Sequence, residues 1–245
     1  MTNNSEKTED KMGNDTGGIE SGMRLKRIAR IRSDFPTKFG IPRQSGLVPG
    51  LRARIVFEPE YRRREALEGL EGYSHVWLIW EFSEAAREGW SATVRPPRLG
   101  GNARRGVFAT RSPFRPNALG LSCVELLSLS EELGEGTVLW VAGADLMDGT
   151  PIYDIKPYLP FTDAHPQARA GFAEEVKGHR LEVCFPGELR RGLTDGQVQV
   201  LIDILAEDPR PAYQQDPSRV YGMPFAGRDI RFRVAKGCLT VVEIK

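Results

Sequence analysis

No stretch of the 245-residue chain approaches the roughly 20 consecutive apolar residues of a membrane-spanning helix, which argues against an integral membrane role of that kind. The polar, acidic start lacks the basic-then-apolar pattern of a secretory leader, so a cytoplasmic protein is expected. Cysteine is scarce. Cys123, Cys184 and Cys238 lie far apart and form no CxxC pair, which fits three buried thiols in a reducing compartment and gives no zinc spacing. GxSxG, a Walker loop, HExxH and a GxGxxG opening a helix are all missing, which demotes serine hydrolase, P-loop, zinc protease and Rossmann readings. His165 and His179 have no partner at motif spacing, and His75, in an apolar stretch, reads as a core group.

One absence is local. From Gly89 to Val124 there is no Asp, Glu or Lys, yet the segment holds Arg95, Arg98, Arg104, Arg105, Arg111 and Arg115. Arginine presents a planar fork that meets phosphate or carboxylate in two contacts and also stacks on rings. Glycines 100, 101, 106 and 120 permit close backbone approach, and prolines 96, 97, 113 and 116 stiffen the loops. Such a segment suits a phosphate-rich substrate. It equally suits a solvated loop whose neutralising acids lie elsewhere in the fold. The formal net charge of +1 conceals this distribution. Residues 1–22 carry two Lys against five acids, leaving the body at 32 basic residues against 28 acidic ones.

Residues 1–22 have too little apolar surface to offset ordering and are expected to form a disordered tail. A β-rich, cofactor-binding domain is expected over 23–165, with strands near Leu25–Arg32, Leu51–Phe57, Ser74–Phe82, Leu119–Leu129 and Thr137–Gly143. Tyr61–Leu70 has helical spacing with Gly72 just beyond it. Short strands with Gly/Pro punctuation suggest a barrel or sandwich. A small C-terminal α+β domain is expected over 166–245. Its helices fall on Ala168–Lys177 and on Thr194–Leu205, the latter capped by Thr194 or Asp195. A hairpin there turns at Lys236-Gly237.

Two further clusters carry chemistry. Asp145, Asp148 and Asp154 lie within ten residues, around the turn signal Asp148-Gly149. Read blandly, this is a turn followed by an extended, proline-stiffened segment. Read functionally, the backbone N–H groups of the turn and Thr150 hold a small polar ligand, while one carboxylate accepts a proton. The spacing is not that of a calcium loop and no His lies nearby, so no metal is expected. The second cluster, Pro42-Arg43-Gln44-Ser45-Gly46, is by itself only a short polar loop.

Taken together, Pro42-Arg43-Gln44, Ser74-His75-Val76-Trp77, the run Val94–Asn102, Gly106–Asn117, and Asp148–Pro151 through Asp154–Tyr158 resemble the TsaA-like (TrmO-type) tRNA (adenine(37)-N(6))-methyltransferase family. The match runs from about residue 24 to 162, and Ala206–Tyr213 resembles the C-terminal domain of bacterial members. The resemblance implies a mainly β fold, a small antiparallel β-barrel unlike the Rossmann methyltransferases. It implies S-adenosyl-L-methionine as methyl donor, a homodimer, and the anticodon loop of tRNA as partner. The target would be the exocyclic N(6) of threonylcarbamoyl-adenosine at position 37 of tRNAs reading A-starting codons. Carried over residue by residue, cofactor contacts fall on Pro42, Arg43, Gln44, Arg111, Leu121, Asp148, Gly149, Thr150 and Pro151. They also fall on Ser83-Glu84, where the family often has His followed by a polar residue.

The residues agree with that reading. A folded single strand is read through phosphates and splayed bases. Arg95, Arg98, Arg104, Arg105 and Arg115 are the candidate RNA contacts, and Phe108, Phe114, Tyr153 and Tyr158 the candidate stacking rings. Asp145, Asp148 and Asp154 are the candidate proton acceptors. Asp208 and Arg210 either shape the site from the second domain or cap a turn after the preceding helix. A non-catalytic RNA-binding module on the same barrel, or a small-molecule methyltransferase, are the rival readings.

Overall fold

Six strands with alternating apolar positions make up the first half of the chain. The computed structural model describes residues 24–85, 90–96, 103–176, 178–210, 214 and 216–245; the expected tail and Arg98 lie outside them. The strands are β1 (Ala29–Arg32), β2 (Arg52–Phe57), β3 (His75–Glu81), β6 (Leu119–Glu132), β7 (Gly136–Ala142) and β8 (Pro151–Pro157), in the order β1-β2-β7-β6-β3-β8. Every pairing is antiparallel, and Ala29 of β1 opposite Ile152 of β8 closes the ring. Because side chains alternate across a strand, one face fills the interior. Ile31, Ile55, Val76, Leu78, Val124, Leu139, Val141 and Ile152 do so here. A short ribbon, β4 (Thr93–Val94) with β5 (Arg105–Gly106), projects from the β3–β6 connection.

The second half is one helix on a four-stranded sheet. Strands β10 (Tyr221–Phe225), β11 (Arg228–Ala235) and β12 (Cys238–Ile244) are antiparallel neighbours, and β9 (Glu182–Cys184) lies parallel to β12. The β11–β12 turn places Lys236 at φ 52° and Gly237 at φ 79°, the double left-handed turn that matches strand twist. A one-turn helix α1 (Pro160–Asp163) follows β8, and helix α2 (Asp195–Ala206) starts at Thr194. The Thr194 hydroxyl accepts the Gln197 N–H at 3.2 Å, and the Gln197 side chain accepts the Thr194 N–H at 3.0 Å. Such a reciprocal cap is worth about 1 kcal/mol. Leu201, Ile204 and Leu205 bury its inner face.

The two halves share a core. Phe35, Val48 and Leu51, all from the β1–β2 connection, pack among the residues of α2 and the second sheet. The Ala226 N–H donates to the Asp34 carbonyl at 3.0 Å. Gly40, at φ 95°, lies so close to Met223 that a Cβ would fall 2.2 Å from its sulfur. This wedge fixes the neighbouring segment 41–44, which matters for the site.

Several sequence expectations change. Tyr61–Leu70 is not an α-helix but part of three 3-10 turns, Pro59–Tyr61, Arg64–Leu67 and Leu70–Gly72. The reason is Gly69, at φ 84°, and an apolar face that buries only Leu67. Ala168–Lys177 is reduced to a 3-10 turn over Gly171–Val176, with no buried residue among 171–175 to hold a longer helix. The extended segment after Asp148-Gly149 is a full barrel strand, with its prolines confined to the first and last positions, where a missing N–H is tolerated. No cysteine is buried: Cys184 is exposed and Cys123 and Cys238 are half-buried. His75 faces outward and half-buried, beside the Ser74 hydroxyl and the Tyr158 ring, not in the core.

Candidate active site

A cavity of about 510 Å³ opens at one end of the barrel, within the size range of small-ligand sites. Its walls come from four places in the sequence: Lys38–Gln44 of the wedge, Trp80–Glu84 at the end of β3, Thr110–Leu121 leading into β6, and Asp145–Thr150 between β7 and β8. Strand register brings the second and third together, since Trp80 lies opposite Gly120 and Leu78 opposite Ser122. A Cβ on Gly120 would sit 2.3 Å from the Trp80 indole, so glycine is required for the ring to lie flat there.

A buried polar relay crosses the floor. The Trp80 indole N–H donates to the Ser122 hydroxyl at 2.9 Å, and that hydroxyl donates to Asp145 Oδ1 at 2.6 Å. Burial pushes the Asp145 carboxyl above its ordinary value. The Ser122 hydrogen bond, backbone donors and the Arg111 charge oppose the shift without cancelling it. A cavity carboxyl whose proton affinity is raised by burial is suited to exchanging a proton.

The rim is braced by arginines. Arg111 donates to the Gln44 side-chain oxygen, Gln44 donates to the Arg43 carbonyl, and Arg43 reaches the carbonyls of Asp208 at 3.5 Å and Arg210 at 3.2 Å. Asp208, at φ 52° just past α2, is itself clamped by Arg210 through contacts of 2.8 and 3.0 Å. Burial pushes the Asp208 carboxyl up, and the hydrogen bonds and charge of Arg210 outweigh it, leaving the group below its ordinary value. The second half therefore does more than close a turn. It presents two backbone carbonyls that hold a cavity side chain. Tyr153 donates its hydroxyl to Glu81, another lining residue.

The structure sorts the sequence-derived candidates. Pro42, Arg43, Gln44, Ser83, Glu84, Arg111, Leu121 and Thr150 line the cavity together with Asp145; Asp148, Gly149, Pro151 and Asp154 do not. The turn has no free donors to offer. The N–H groups of Asp148, Gly149 and Thr150 donate to the carbonyls of Phe35, Ile31 and Met147, and the Thr150 hydroxyl also donates to Met147. Asp148 lies 3.7 Å from Arg32 and Asp154 2.9 Å from Lys156, both at the surface. Arg115 lines the cavity and donates to the carbonyls of Thr110 and Ser112, whereas Arg95 is exposed. Arg104 reaches Thr93 at 3.2 Å, and Arg105 lies over the Phe172 ring.

Phe114 lines the cavity, and Tyr158 packs against Trp77 with centroids 5.8 Å apart. Ser122 and Trp80 belong to no sequence motif; their signal is a serine on the inward face of an apolar strand. Among the described residues no group of three His, Cys, Asp or Glu side chains could hold a metal, and no helix is long and apolar enough to cross a membrane.

The model of the tRNA-methyltransferase O N-terminal domain matches residues 30–164, the barrel and its cavity, and that of the TrmO C-terminal domain matches 179–245. The chain belongs to the TrmO family. A relative from Escherichia coli K12, named tRNA (adenine(37)-N6)-methyltransferase, is 40% identical over 233 residues, covering 92% of this chain and 99% of that protein. A Pseudomonas aeruginosa PAO1 protein, named as a candidate S-adenosylmethionine-dependent methyltransferase, is 44% identical over 213 residues, covering 84% of this chain and 90% of the relative. The crystal structure of TrmO from P. aeruginosa superposes with a TM-score of 0.70 at 34% identity, covering 91% of this chain and 98% of that one. The cavity and the carbonyl clamp from the second half thus lie within the two TrmO domains.

Proposed function

We propose that this chain methylates the exocyclic N(6) of threonylcarbamoyl-adenosine at position 37 of tRNA, with S-adenosyl-L-methionine as donor. Its family carries the coarser statement: the chain is a tRNA (adenine(37)-N6)-methyltransferase. For the donor and the exact substrate, the single supporting observation is the cavity. Residues assigned to the cofactor by resemblance converge there on a carboxylate whose protonation is tuned by burial.

The lining fits such a donor. Leu119, Leu121, Phe82 and Ile41 offer an apolar wall for its adenine, Glu81 and Glu84 oppose its cationic groups, and Lys38, Arg43 and Arg111 suit its carboxylate. When bound, the donor supplies an electrophilic methyl group. The chain's own residues hold the attacking nitrogen in line and exclude water, and Asp145, kept in place by Ser122, takes the proton that N(6) loses. Asp148 and Gly149 shape the rim through the backbone hydrogen bonds of their turn, and Pro151 opens β8 directly after it. Arg95, Arg104 and Arg105 meet the RNA backbone, and Arg115 bridges to the cavity. A homodimer, a cytoplasmic location and a division into two domains near residue 165 complete the proposal.

The test is to incubate the protein with S-adenosylmethionine and tRNA carrying or lacking the threonylcarbamoyl group, then to digest and weigh the nucleosides. A methyl on the modified adenosine alone is expected. A methyl on neither RNA sinks the proposal.

A further inference from the structure

Beside the cavity, the chain leaves two large rings open to water. Trp90 is 53% exposed and Phe108 72% exposed. They stack on one another, with centroids 6.2 Å apart and planes 27° apart. Apolar burial would favour hiding such rings. They are nevertheless held in place. The Ser91 N–H donates to the Phe114 carbonyl at 3.4 Å and the Val107 N–H to the Ala92 carbonyl at 3.0 Å, so the residue after Trp90 and the residue before Phe108 are both tied down. Phe114 and Arg115 line the cavity, and the Arg115 guanidinium sits 5.9 Å from the Phe108 centroid. The aromatic pair therefore continues directly from the cavity rim. Arg105 lies in the ribbon and Arg104 directly precedes it, in a segment with no acidic residue.

We infer that Trp90 and Phe108 form a stacking platform for an unpaired nucleobase next to the target adenosine, with Arg104 and Arg105 meeting the adjoining phosphates. The inference rests on the reading of the cavity as the site where a tRNA adenosine is methylated, and it names the surface that holds that adenosine's neighbour. An adenosine whose N(6) enters a cavity must leave its stack, so the adjacent base loses a partner. An exposed ring pair replaces that partner, and its face is tolerant of sequence. Charge favours RNA over a second copy of this chain. A two-fold contact through this patch would set arginine against arginine, with no acid of the segment to separate them.

The experiment uses the full-length chain with both Trp90→Ala and Phe108→Ala, and an RNA hairpin carrying an anticodon loop as probe. Affinity is measured across a salt series, alongside S-adenosylmethionine binding and molar mass by light scattering. The double variant is expected to bind the hairpin roughly ten- to hundredfold more weakly. The slope of log K against log salt stays the same because no charge is removed. Donor binding and molar mass are unchanged, and Trp90→Phe with Phe108→Tyr retains affinity. Should the double variant not fold, single Trp90→Leu and Phe108→Leu changes carry the expectation at about fivefold each. Unchanged RNA affinity in folded variants, or a change in molar mass alone, overturns the platform. Methyl transfer by the unsubstituted chain is followed in parallel. If it transfers methyl while the variants bind RNA normally, only the platform fails; if it binds RNA without transferring methyl, only the functional reading fails.

Discussion

The cavity floor and the β4–β5 ribbon lie close together and are built on opposite terms. On the floor, each polar group is buried and answered: Trp80 by Ser122, Ser122 by Asp145. Around the ribbon, the Trp90 and Phe108 rings and the Arg104 guanidinium stand in water, and Arg105 is half-buried over the Phe172 ring. A low-dielectric floor makes single groups expensive to remove and able to shift a proton affinity. An exposed ribbon gives many small, screened contributions that add to affinity and hardly affect stability. On the proposed function, one region is organised for chemistry and the other for holding a substrate.

The sharpest way to break that contrast is Asp145→Asn. The amide still accepts the Ser122 hydroxyl but takes no proton, so kcat is expected to fall by about 10²- to 10⁴-fold. Burial raises the Asp145 pKa in the folded state. Its contribution to stability is therefore full at acidic pH and lost as pH rises through that raised value. The melting temperature of the variant near neutral pH should match or exceed that of the parent. In the parent, the acid limb of kcat/KM should fall as pH drops through a value above that of an ordinary carboxyl, and the limb should disappear in the variant. A large activity loss accompanied by a lower melting temperature would show Asp145 to be a scaffold group. Gly120→Ala comes next. Its methyl group would overlap the Trp80 ring, costing about 1–3 kcal/mol in denaturant unfolding and displacing the cavity wall.

What was legible in the sequence followed the range of the interactions involved. Strand β2 showed itself by alternation, β3 by its apolar run, α2 by its apolar face and cap, and the β11–β12 turn by Lys236-Gly237. All of these depend on residues within a few positions of one another. Most of the cavity rim was reached through resemblance rather than through pattern, because Pro42-Arg43-Gln44 is unremarkable as a loop. Long-range geometry was not legible. Ser122 meets Asp145, 23 positions further on, only because β6 and β7 pair in one register, and Trp90 meets Phe108 only because the ribbon folds back. The same holds for the Asp148 turn. Its donors are used by Phe35 and Ile31, which lie more than a hundred residues away.

The clamp on Arg43 sets the second half against the first. Asp208→Asn leaves Arg210 one acceptor oxygen, turns the other into an amide donor, and removes the charge of the contact. The folded-state pKa of Asp208 is lowered. Its stabilisation is therefore present above the unfolded value and is lost as pH falls through the folded one. A loss of about 1 kcal/mol is expected at neutral pH, shrinking towards zero in acid. Donor affinity should weaken several-fold as the carbonyls holding Arg43 loosen. Unchanged donor binding would show that the first half positions Arg43 without help.

The smallest effect belongs to the ribbon's charges. Arg104→Gln and Arg105→Gln remove guanidinium groups that hold little of the fold in place: one contacts Thr93, the other a neighbouring carbonyl and the Phe172 ring. Stability should change by no more than about 0.5 kcal/mol. For a single-stranded loop, each phosphate contact contributes about 0.7 to the slope of log K against log salt. Each substitution should lower that slope by roughly this amount, and the aromatic variants should leave it unchanged. Ring loss and charge loss then separate on one plot, the first moving the intercept and the second the gradient. Identical slopes for the arginine variants and the parent would remove Arg104 and Arg105 from the RNA interface. The ribbon's contribution would then be stacking alone, and its contrast with the cavity floor would be one of exposure without charge.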